Sequence, residues 1–126
     1  MKEIFLFILI CIHLLLLLCH LALLLKLVPY RMVWGGRIKS DKQMYRFETV
    51  SIIITILFTI VLLAKAGCLG IAVPQRPITI SLWIMTVLYL VNTVGNLKSN
   101  NRIEQIIFAP LTIVLVISLL VILLGG

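Results

Sequence analysis

Four stretches of this chain, 4–25, 47–64, 78–97 and 106–124, carry almost no charge; Glu48 is the one ionised side chain expected inside any of them. An α-helix rises about 1.5 Å per residue, so each stretch is close to the roughly 20 residues that cross about 30 Å of hydrocarbon. Lipid offers backbone N–H and C=O groups no partner, which leaves helices and closed barrels as the spanning structures. The alternating apolar and polar pattern of a barrel strand is absent. The fold expected is therefore all-α: an integral membrane protein built as a four-transmembrane-helix bundle, one membrane domain over residues 1–126.

Composition agrees. Of the 126 residues 63% are apolar and 12% charged, with mean hydropathy +1.26; soluble domains run near 45–50% and about 25%. A net charge of +7 could suggest nucleic acid. The cations, however, cluster in the connections between spans, where they set topology and meet anionic head groups, so nucleic-acid binding is discarded. Cys11, Cys19 and Cys68 form no CxxC pair and no metal-ligand spacing, and no cofactor or metal is expected. The first apolar run is too long for the usual 7–15-residue signal core and no A-x-A-like site follows it, so it is expected to stay as a span.

Charge also orients the chain. Eight Lys or Arg residues lie in the connections 26–46 and 98–105, against Lys2, Lys65 and Arg76 on the opposite side. By the positive-inside rule the eight-charge side is cytoplasmic and both termini face outward (N-out/C-out), in a multi-pass protein of the inner or plasma membrane.

The basic loop 26–46 contains Trp34-Gly35-Gly36 and the aromatics Tyr30 and Tyr45, an interfacial pattern. Trp34, Arg37, Lys39, Lys42 and Arg46 are its candidate contacts for lipid or a partner. Ser40 and Asp41 offer an N-cap to a helix running through Glu48 into span two. Ser51, Thr55 and Thr59 fall at steps of four on that span. On span three, Thr79, Thr86 and Thr93 recur every seven residues with Leu82, Tyr89 and Asn96 three beyond each, a heptad seam expected to turn inward with Asn92 flanking it. Pro110, one turn or so inside span four, predicts a kink or the start of the helix proper.

The polar residues gather by depth at the basic face. Glu48, Asn92, Thr93, Asn96, Glu104 and His20 come from four spans and are the candidate ligand or pathway residues, with Arg37 or Arg46 within reach of His20. An ionisable group inside the membrane costs about 2.5–3.5 kcal/mol at mid-span, which makes a functional role worth weighing. The competing reading is structural. Carboxylates at helix starts meet the positive end of the dipole, and asparagines can bond helices together. His13 and His20 share a face of span one, but one straight helix cannot supply both axial ligands of a haem. His13 is expected to be neutral and bonded to a threonine or a carbonyl.

Length and span count resemble the small multidrug-resistance transporters, whose mechanism rests on a glutamate within the first helix. Here that span has no acid beyond Glu3 at its lip, so the activity is not carried over. Missing cysteine pairs exclude the four-span thiol oxidoreductases. The expectation is an accessory or structural subunit that binds membrane lipids, through anionic head groups at the basic loop, or joins a larger membrane complex. A homo-oligomeric small transporter or channel around the span-three seam is the alternative. A membrane-surface enzyme acting on lipid head groups, through Glu48 or Glu104, is a second alternative; no catalytic residue is assigned.

Overall fold

The computed structural model describes residues 2–27, 39–99 and 102–125, all of whose regular structure is helical. Helix α1 covers Lys2–Leu24, α2 Asp41–Lys65, α3 Gln75–Leu97 and α4 Ala109–Leu124, the last entered through a π-helical turn at Glu104–Phe108. With that turn, all four are long and apolar enough to cross a membrane.

Local chemistry explains the boundaries. Ser40 is extended, and its hydroxyl accepts the Gln43 backbone N–H at 3.2 Å, so α2 begins at Asp41, two turns before the apolar stretch does. Helix α1 ends where Lys26 takes a left-handed φ of 60°, with Leu27 N–H donating to Ala22 O and Lys26 N–H to Leu23 O. That is the Schellman pattern, here with a lysine where glycine is usual. Gly67 (φ 76°) ends α2 the same way, Cys68 N–H reaching Leu63 O. Pro110 has no N–H to give and its ring crowds the preceding turn. The chain widens there: Ala109 N–H reaches back five residues to Glu104 O.

Each helix packs on its sequence neighbours and α1 closes on α4, giving the ring order α1-α2-α3-α4. Gly125 lies close to the Lys2 side chain, so the chain's two ends share one end of the bundle with the α2–α3 connection. The end of α1, the start of α2, the end of α3 and the π-turn lie at the other, called here the basic end. The core is apolar through Leu9, Leu62, Leu82, Met85, Leu115 and Leu119, all fully buried. Large apolar side chains such as Phe7, Leu18, Leu57, Ile84, Val91 and Ile117 face outward. Inside sit His13, Glu48, Thr86, Thr93, Glu104 and Thr112. An apolar exterior around a polar-studded interior is the distribution that a hydrocarbon surrounding selects, because there the unpaired polar group is the costly one.

Candidate functional site

Closest to the basic end, His20 Nδ1 lies 2.6 Å from Glu48 Oε2. Glu48 is fully buried and the His20 side chain 21% exposed, so the histidine stands between the carboxylate and the outside. The pair ties α1 to α2 just above the loop that joins them. Because α2 starts at Asp41, Glu48 lies about 10 Å along the helix, beyond the first-turn dipole. The expectation of a carboxylate at a helix start therefore fails for Glu48. Its contact with His20 joins two of the candidate residues across α1 and α2; of the two arginines within sequence reach of His20, Arg37 lies outside the described residues.

Glu104 is also buried, 5% exposed, and opens the π-turn. It sits at the same end of the bundle as the His20–Glu48 pair. Among the described residues, no group of three His, Cys, Asp or Glu side chains comes close enough to hold a metal ion.

Deeper in the bundle, His13 crosses the diagonal from α1 to α3. Its Nε2 lies 2.6 Å from the Tyr89 hydroxyl and its Nδ1 2.7 Å from Leu9 O. A carbonyl can only accept, so Nδ1 carries the hydrogen and Nε2 of the neutral ring accepts from Tyr89. The carbonyl partner agrees with the sequence-based expectation; the hydroxyl partner is a tyrosine. Phe58 of α2 meets the Tyr89 ring edge-on at 6.0 Å, fixing the plane of the phenol. One turn nearer the basic end, Thr93 Oγ1 and Thr112 Oγ1 are 2.8 Å apart, linking α3 to α4. Each hydroxyl also lies within reach of a carbonyl of its own helix, Tyr89 O for Thr93 and Phe108 O or Ala109 O for Thr112. Thr55, Thr59 and Thr86 bond back to the residue four before them.

The seam of α3 faces inward through Leu82, Thr86, Tyr89 and Thr93, and Asn96 is half-buried. Its first member departs: Thr79 is exposed and Ile78 is buried in its place. Asn92 is exposed as well, rotated away from the seam by its 100° step from Thr93. No side-chain hydrogen bond joins Asn92 or Asn96 to another helix among the described residues. Sequence reasoning missed Thr112 and the His13–Tyr89 pairing as members of the polar interior. The signal for Tyr89 was its place on the seam; the diagonal contact needed the packed helices.

In the basic loop, Trp34 and Arg37 lie outside the described residues. Lys39, Lys42 and Arg46 are exposed at its far end. Lys26 donates to Asp41 and stands 5.8 Å over the Tyr45 ring. The hydrogen bond it donates to Asp41 holds the Lys26 ammonium above its ordinary lysine pKa. This exposed contact straps the end of α1 to the start of α2 below the His20–Glu48 pair. No family model matches the chain, and neither does any curated protein or solved structure.

Proposed function

We propose that this chain is an accessory subunit of a membrane assembly: a four-helix scaffold whose interior holds itself together and whose outer surfaces do the binding. One observation carries the reading. Among the described residues, no buried side-chain nitrogen or oxygen lacks a hydrogen-bond partner. His13 uses both ring nitrogens on its own bundle, and the Thr93 and Thr112 hydroxyls place their two hydrogens on each other or on carbonyls of their own helices. A pathway that passes a polar solute needs groups free to replace the solute's water, and a saturated interior offers it none. The positive-inside bias favours an N-out, C-out protein of the cell membrane, whose basic loop, with Lys39, Lys42 and Arg46, meets anionic lipid or an acidic partner at the cytoplasmic surface.

A second reading, a small transporter or channel, is favoured by two carboxylates. Glu48 and Glu104 are both buried at the basic end, one paired with a histidine and one on a π-turn, a feature frequent at functional sites.

Two measurements separate the readings. Gentle extraction from the native membrane followed by intact-complex mass measurement is expected to give a fixed-stoichiometry assembly with a different membrane protein. Purified chain in lipid vesicles is expected to leave a proton or cation gradient intact. Flux through the chain alone, abolished by Glu48→Gln at unchanged stability, would overturn the accessory reading and establish the transporter.

A further inference from the structure

The outer flank of α3 carries an amide in the wrong solvent. Helix α3 has 23 residues; its rise of about 34 Å slightly exceeds about 30 Å of hydrocarbon. Asn92 is five residues from the end at Leu97. It therefore sits roughly 5 Å inside the hydrocarbon boundary of a centred helix. Its side chain is exposed and makes no hydrogen bond among the described residues, while Val91 (64% exposed) and Val94 (50%) beside it face outward. An unpaired amide facing lipid tails is unfavourable unless another helix answers it.

The surrounding surface is shaped for close approach. Ser81, Leu88 and Gly95 recur every seven residues, with Asn92 four after Leu88. Of these Leu88, Asn92 and Gly95 are exposed and lie on one flank, about 90° around the helix from the buried seam. A Cβ placed on Gly95 would meet nothing within 4 Å, so the backbone lies bare one turn from the amide. Bare backbone beside a hydrogen-bonding side chain is what lets two membrane helices approach.

We propose that this flank of α3 docks on the same flank of a second copy, Asn92 pairing with Asn92 across a two-fold axis along the membrane normal. The occupant follows from the chemistry of the amide. It must be met by a group that both donates and accepts, at the same depth, about 5 Å inside the hydrocarbon boundary. An amide is self-complementary, and copies inserted with one topology bring it to identical depth in parallel helices without further design. The pairing does not rest on the accessory reading above, since a dimer serves a scaffold or a transporter equally.

Cross-linking in the membranes in which the full chain is made, where all copies share one orientation, tests it. In a background with Cys11, Cys19 and Cys68 replaced by alanine, Leu88→Cys and Gly95→Cys are expected to form a disulfide-linked dimer of this chain on mild oxidation. Val94→Cys, within one residue of Gly95 in depth but on the other side of α3, is expected to stay monomeric. Adding Asn92→Leu is expected to lower the Leu88→Cys dimer yield about fivefold or more, and Asn92→Gln to retain most of it. Equal yields at Val94 and Gly95, an unchanged yield with Asn92→Leu, or monomer throughout would overturn the pairing. A cross-link to a different protein would overturn the second copy as occupant. If Asn92→Leu fails to accumulate, the Leu88, Gly95 and Val94 comparison alone decides.

Discussion

His13 and Tyr89 meet across the diagonal of the bundle at 2.6 Å, a contact between helices α1 and α3 that are not neighbours in the ring. With Leu9 O on its other nitrogen, the imidazole is fully used. This makes the centre of the bundle a locked polar joint instead of an empty ionisable site. Tyr89→Phe should leave Nε2 buried without a donor and lower stability by about 1–2 kcal/mol, near the upper range for interhelical bonds in membrane proteins. His13→Leu with Tyr89→Phe should recover part of that loss. A double-mutant cycle of thermal unfolding in mild detergent measures the coupling, and strict additivity would deny the bond.

The two threonines that link α3 to α4 should behave differently. Thr93 and Thr112 each have a carbonyl of their own helix as a fallback. Thr93→Val or Thr112→Val is expected to cost no more than about 0.5–1 kcal/mol, the double variant little more. Unfolding of the three variants side by side with Tyr89→Phe tests the contrast. A loss larger than that of Tyr89→Phe would show the pair carrying more than packing.

Removing one member of the His20–Glu48 pair should matter more. His20→Ala takes away one hydrogen-bond partner of a fully buried carboxylate and is expected to destabilise by about 1–3 kcal/mol. Glu48→Gln keeps a hydrogen-bonding group opposite His20 and should cost less. Limited proteolysis of the basic loop gives a second readout, because the pair holds together the helices that the loop joins. Faster cleavage in His20→Ala than in Glu48→Gln is the expected order.

The Lys26–Asp41 strap predicts a pH dependence. Asp41 raises the Lys26 pKa. The contact's contribution is then complete below the ordinary lysine range and is lost as pH climbs through the raised value. Asp41→Asn should return the Lys26 titration toward its ordinary value, read by NMR of a labelled lysine side chain. No movement on Asp41→Asn would assign the shift to another group.

If the basic loop binds the membrane or an acidic partner, neutralising Arg37, Lys39 and Lys42 together should weaken binding, and more so at low salt, because exposed charges are screened over roughly 10 Å at 0.1 M. Sedimentation with vesicles containing anionic lipid, at two salt concentrations, is the measurement. Binding unchanged at both would remove the loop from the proposed function.

The sequence by itself determined the four helices, because uncharged runs of that length have few folded alternatives in lipid. It determined the N-cap at Ser40 and the interruption at Pro110, since both follow from the chemistry of one or two residues. It also placed polar groups at the basic end by depth alone, as helical rise is a fixed distance per residue. Only the tertiary structure decided who meets whom. Spacing along the chain gave His20 no particular partner on α2, and it is the packing and rotation of α2 against α1 that bring Glu48 to it. Asn92 and Thr93 are adjacent in sequence, yet one step of helix rotation sends the first outward and buries the second. Periodicity defines a stripe on a helix; which part of the stripe a neighbour covers depends on how the other helices pack against it.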